Sequence, residues 1–106
     1  MTEIFYKSGG NVFEDIGFTP AEAITLTAKS HLITAIKETI EERGLTQKQA
    51  AARCGTDQPT LSKVLRGRME SITIDRLTAW LTDLGGTVEI NAHPYHTSSA
   101  AGRARA

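Results

Sequence analysis

Apolar and polar residues follow a helical period in four successive stretches of this chain. The longest stretch begins at Thr19, which is followed by Pro20 and Glu22 in the order that caps a helix, and it continues to about Arg43. The pattern leaves open whether this helix breaks near residues 29–30. Its predicted buried face consists of Leu32, Ile33, Ile36 and Ile40.

Three shorter helices are predicted after the first. The second starts at Thr46, and the third starts near Asp57 and ends at Gly67. Thr73 caps the fourth helix, which the glycine pair at residues 85–86 stops. The predicted buried residues are Ala50, Ala51 and Cys54 in the second helix, Leu61, Val64 and Leu65 in the third, and Ile74, Leu77, Leu81 and Leu84 in the fourth.

After the fourth helix the period changes from helical to alternating. Val88, Ile90 and Ala92 share one face, so residues 87–92 are predicted to form a short C-terminal β-strand. A lone strand leaves both edges unpaired, which proteins avoid. It could pair with residues 2–6 of the same chain or with its copy in a second subunit. We favour a homodimer in which these strands and the fourth helices contribute to the interface.

These elements predict a single domain that is mainly all-α, with four to five helices and one short strand. Residues 1–18 contain a small apolar set and should pack on the domain as an irregular segment. The domain itself spans residues 19–95. Residues 96–106 are small and polar, and we expect this tail to be disordered.

The spacing within residues 47–65 describes two short helices that cross at a tight turn. Ala51 lies where the helices cross, because a larger side chain there would push them apart. Gly55 follows the first of the two, where a left-handed backbone costs least without a Cβ atom. Leu61 and Val64 place an apolar stripe under the other helix. The spacing therefore predicts a helix-turn-helix, the motif that places one helix in the DNA major groove.

The distribution of charge supports this interpretation, although the formal net charge is zero. Residues 43–68 carry six basic side chains and a single acidic one, whereas residues 1–42 carry three basic and seven acidic ones. A basic block that coincides with the helix-turn-helix is the expected footprint for contact with phosphates. The predicted partner is double-stranded DNA with an inverted-repeat operator.

Gln58, Thr60 and Lys63 are the residues expected to contact DNA bases. Lys63 lies on the polar face of the third helix, whereas Gln58 and Thr60 lie on its flanks in the first turn, which enters the groove most deeply. Glutamine can pair with adenine, and lysine can donate to guanine O6 and N7. Phosphate contacts are expected from the edges of the motif, and Asp57, a carboxylate near DNA, is better explained as a helix cap. The phosphate-contacting residues are predicted to be Gln47, Lys48, Arg66 and Arg68, with Arg43 and Arg53 as weaker candidates.

Other kinds of site have little support in the sequence. Cys54 lies on a predicted buried face, so a small core residue is favoured over a redox switch. His93 and His96 lack the further ligands of a metal site, and we expect no metal or cofactor. No pair of catalytic residues is identifiable, which predicts a protein without enzymatic activity. The absence of a long apolar run and of a signal peptide predicts a cytoplasmic protein without a membrane span.

The stretch GLTQKQAAARCGTDQPTLSKVLRGR, residues 44–68, resembles the phage-repressor-like (XRE) helix-turn-helix regulators. With NVFEDIGF and ITIDRLTAWLTDLGGTVEI, the chain is similar to a small subgroup that includes antitoxins encoded beside RelE-superfamily toxins. The resemblance covers roughly residues 11–93. It implies that Gln47, Gln58, Thr60 and Lys63 match DNA-contacting positions of the family.

Three functions remain open at this point. The first is a sequence-specific dimeric regulator, acting as a repressor of its own operon. The second is an antitoxin whose acidic segment, with Phe5, Phe13 and Phe18, covers a basic RelE-like toxin. The third is a protein–protein adaptor that reuses the fold without DNA. The sequence specifies neither the operator, nor the regulated genes, nor an effector, nor the geometry of the dimer.

Overall fold

The computed structural model describes residue 13 and residues 16–94. Over these residues the chain forms four helices and no strand, in the order α1 (Pro20–Glu42), α2 (Gln47–Cys54), α3 (Gln58–Leu65) and α4 (Ile74–Asp83). The predicted tail at 96–106 and nearly all of the predicted segment at 1–18 lie outside the described residues. No helix in the described part of the chain is long and apolar enough to cross a membrane.

Local capping fixes where each helix begins, as the sequence predicts. Thr19 and Glu22 form a reciprocal capping box at the start of α1, and Thr46 and Gln49 form another at the start of α2. The side chain of Thr73 accepts from the first turn of α4. α1 continues without a break through residues 29–30, where the apolar pattern allows either a break or a continuous helix.

The predicted apolar faces meet in one core. α4 packs mainly against α1, and α2 packs mainly against α3. Leu61, Leu77, Leu84 and Ile36 are fully buried, and Trp80 of α4 is 2% exposed. The core therefore joins the two helices of the predicted motif to the longer helices α1 and α4, which support them.

Cys54 is a buried core residue, as predicted. Its thiol donates to the backbone oxygen of Trp80 at 3.7 Å. Burial, with a smaller contribution from the Asp83 carboxylate, raises the pKa of the Cys54 thiol to about 11. The thiol is therefore protonated at neutral pH, which argues against a redox role.

The predicted strand at residues 87–92 is not formed among the described residues. These residues have no regular secondary structure, and residues 87–94 form no backbone–backbone hydrogen bond within the described part. A strand needs a paired neighbour, and no described segment lies beside this one as a partner. Val88 nevertheless packs against the core, while Ile90 is 78% exposed.

Candidate nucleic-acid interface

The turn between α2 and α3 has the geometry that the sequence predicts. Gly55 caps α2 in the left-handed conformation, with a φ of 71°. The amide of Thr56 then donates to the carbonyl of Ala51 at 3.0 Å, which closes the end of α2. Ala51 is 2% exposed and belongs to the same core as Leu61 of α3. The two helices therefore form a tight helix-turn-helix unit.

One side of α3 is buried and the other faces solvent. Leu61, Val64 and Leu65 are buried, so the remaining residues of the helix point away from the core. The outer face of α3 is defined here by five exposed residues: Gln58, Pro59, Thr60, Lys63 and Arg66. The three residues predicted to contact bases are therefore all exposed on α3.

Asp57 caps α3, which is the role that the sequence predicts for it. Its carboxylate accepts from the backbone N–H of Thr60 at 2.7 Å. This hydrogen bond, assisted by the Thr60 hydroxyl and the positive charge of Lys63, holds the pKa of Asp57 below its ordinary value of 3.8.

The predicted phosphate-contacting residues are all exposed. Gln47 and Lys48 lie in the first turn of α2, and their side chains form no hydrogen bond with any described residue. Arg66 is more ordered, because its Nη2 donates to the hydroxyl of Ser62 at 3.0 Å. This bond lays the guanidinium of Arg66 along the outer face of α3.

Comparison with known proteins identifies the family. The helix-turn-helix domain family matches residues 12–93. A solved structure described provisionally as an XRE family transcriptional regulator is 33% identical, with a TM-score of 0.65, and the match covers 77% of this chain and 92% of that one. The chain belongs to the XRE helix-turn-helix family. No curated protein matches it significantly.

Two basic side chains of this XRE protein stabilise the fold. Nη2 of Arg43, a weaker phosphate candidate, donates to the carbonyl of Gly85 at 3.0 Å, so Arg43 ties the end of α1 to the end of α4. Nζ of Lys29 donates to the carbonyl of Met69 at 2.9 Å and holds the segment after α3 against α1. Both contacts join residues about 40 positions apart, and no local sequence signal predicts them.

The other residues considered as sites in the XRE protein are Arg53, His93 and His96. Arg53 is exposed and forms no hydrogen bond or ion pair with any described residue. No group of three or more His, Cys, Asp or Glu residues within the described ranges could hold a metal ion. His93 is exposed, and His96 lies outside these ranges.

The capping role of Asp57 predicts a specific dependence of stability on pH. Because its folded pKa is lowered, the charged cap stabilises the protein fully above about pH 4 and loses this effect as the pH falls through the folded pKa. Asp57→Ser keeps a capping oxygen that does not titrate. We therefore expect the wild type to lose free energy of unfolding relative to Asp57→Ser below about pH 4. Denaturant titrations at several pH values measure this, and parallel curves would contradict the capping role.

Proposed function

We propose that this XRE protein is a sequence-specific, dimeric DNA-binding transcriptional regulator that represses its own operon. The observation that carries the proposal is the outer face of α3, which presents Gln58, Thr60 and Lys63 to solvent from one rigid helix. A helix of this kind, supported from behind by a core, fits the major groove. The similarity to the solved XRE family protein supports the same function.

The division of labour follows from the chemistry of each side chain. Gln58 can offer a bidentate donor and acceptor to adenine, Lys63 can donate to guanine, and the methyl of Thr60 can contact thymine. The proposed phosphate contacts lie on both sides of the outer face of α3. They are Gln47 and Lys48 at the start of α2, and Arg66 and Arg68 at and just after the end of α3. Glu22, the acidic residue in the first turn of α1, is not part of this proposed set of contacts.

The dimer is proposed to form through the C-terminal segment. Residues 87–92 alternate in polarity, and their backbone groups form no backbone–backbone hydrogen bond with any residue that the structure describes. Beside them, α1 and α4 form an apolar groove of about 340 Å³, and its rim carries Ile24 and Ile90, which are 66% and 78% exposed. Antiparallel pairing of two such segments about a two-fold axis would satisfy the backbone and bury both isoleucines.

The experiment is a gel shift of the full chain with the DNA upstream of its own gene, accompanied by a measurement of mass in solution. We expect salt-sensitive binding to an inverted repeat with half-sites about 34 Å apart, and a dimeric mass. The expected regulatory consequence is lower transcription from that promoter. Binding with no preference for this region over unrelated DNA would contradict the proposal, and a monomer at all concentrations would contradict its dimeric part.

A second candidate function is neutralisation of a RelE-like toxin. The observation that favours it is a group of exposed apolar residues ahead of and within the start of α1. Ile16 is 67% exposed and Phe18 is 40% exposed, although Phe18 stacks edge-on against Phe13 at 6.2 Å between ring centroids. A surface of this kind within an acidic segment complements a basic nuclease. Co-expression with the adjacent gene should yield a stable complex, and failure to form one would exclude this function.

A further inference from the structure

An open cleft of about 200 Å³ lies between α1 and the end of α3. The helix α1 contributes Thr34 and Lys37, and the C-cap of α3 contributes Arg66. The nearly buried side chains of Ile33 and Leu65 form its apolar part. The cleft therefore places a cation from α1 beside one end of the outer face of α3.

Contacts from α1 hold this cleft in shape. The ammonium of Lys29 donates to the backbone oxygen of Met69 at 2.9 Å, and the hydroxyl of Ser30 donates to the sulfur of the same residue at 3.4 Å. Met69 itself lines the cleft. These contacts therefore anchor the segment that follows α3, close to Arg66, against α1.

Among the described residues, none that lines the cleft is acidic. Lys37 is exposed and forms no hydrogen bond or ion pair within the described part of the chain. Arg66 is bonded to a neutral hydroxyl, that of Ser62. The nearest acids in sequence are Glu38 and Glu41 on α1 and Glu70 after α3, and none of them contributes to the lining. Two cations without carboxylate partners therefore face one space, an arrangement that favours a shared anion.

We propose that Lys37 and Arg66 together hold one backbone phosphate of bound DNA in this cleft. This extends the interface from α2 and α3 onto α1, and it rests on the proposed DNA-binding function. DNA is the favoured source of the phosphate because Arg66 belongs both to the cleft and to the outer face of α3. Lys37 contributes charge without reading bases, so it should act equally on all sequences.

The test is the salt dependence of DNA binding by the full chain, measured with one duplex of unrelated sequence and one from its own upstream region. Lys37→Gln should make the plot of log affinity against log salt shallower by about 0.9 per bound chain. The loss of affinity between about 50 and 200 mM salt then becomes ~3.5-fold smaller per bound chain. Lys37→Arg, which keeps the charge, should retain the wild-type slope.

Arg76→Gln is the matched control, because it removes one positive charge from an exposed residue of α4 that does not line the cleft and is not among the predicted DNA contacts. We expect it to leave the slope unchanged. A wild-type slope for Lys37→Gln, while Arg66→Ala flattens the plot, would overturn the role of Lys37 and leave the proposed function standing. Equal effects of Lys37→Gln and Arg76→Gln would also overturn it, since the effect would then come from net charge alone. Absence of DNA binding by the wild type would overturn both proposals.

Discussion

Trp80→Ala is expected to lower the free energy of unfolding by about 3–5 kcal/mol, as for other large aromatic residues removed from a core. Trp80 is 2% exposed, and it belongs to the core that supports α2 and α3. Its backbone oxygen also accepts a hydrogen bond from the thiol of Cys54, which belongs to α2. The loss should therefore loosen the helix-turn-helix unit as well as α4. Denaturant unfolding at one fixed protein concentration measures it, because a dimer gains stability with concentration.

Trp80→Phe is the matched control for this prediction. The indole Nε1 of Trp80 is buried without a hydrogen-bond partner among the described residues, and an unsatisfied buried donor costs about 1–3 kcal/mol. Phenylalanine keeps an aromatic ring and removes that donor, so the two effects partly cancel. We expect Trp80→Phe to lose less than half as much stability as Trp80→Ala. Equal losses for the two variants, or a loss below about 1 kcal/mol for alanine, would mean that Trp80 does not fill the core.

Gln58→Ala is expected to lower affinity for the preferred operator by about 5- to 150-fold per half-site, the range that corresponds to 1–3 kcal/mol for one base contact. Its affinity for unrelated DNA should hardly change, because glutamine contributes no charge. The substitution should not disturb folding, since Gln58 is exposed and Asp57 still caps α3. Competition binding with operator and unrelated duplexes measures the ratio of the two affinities.

Lys63→Ala and Arg66→Ala distinguish reading of bases from contact with phosphates. Lys63→Ala should lower affinity for the operator by a similar factor and also weaken binding to unrelated DNA, because it removes both a base contact and a charge. Arg66→Ala should weaken binding to all DNA sequences alike and make the affinity less dependent on salt. A Gln58→Ala variant with an unchanged ratio of affinities would show that α3 does not read the sequence through this residue.

The helices could be predicted from the sequence because the signals that define them are local. Thr19, Thr46, Asp57 and Thr73 each bond a backbone amide within the first turn of their own helix, and Gly55 turns the chain where a left-handed backbone is needed. The polar side of α3 follows from the same helical period that buries its other side. The exposure of Gln58, Thr60 and Lys63 is therefore predictable from the sequence.

The remaining features depend on contacts between distant residues, or on a second chain. The position of Arg43 in the basic block makes it a candidate phosphate contact, yet its guanidinium donates a hydrogen bond to the carbonyl of Gly85 across the fold. Lys37 belongs to a segment of net negative charge, so the charge distribution does not mark it as a DNA contact. Only the packing of α1 against the end of α3 places it in the same cleft as Arg66. The alternation at residues 87–92 describes a segment suited to pairing, but pairing itself needs a neighbour that a single sequence does not specify.

Reading of DNA sequence by the outer face of α3 is the core of the proposed function. Its most direct test is selection of bound duplexes from a random pool by the wild type and by Gln58→Ala, followed by sequencing. We expect the wild type to enrich an inverted repeat with half-sites about 34 Å apart, and the variant to lose the preference at one base position in each half-site. Enrichment of no sequence by the wild type, or of the same sequence without any relaxation by the variant, would contradict the claim.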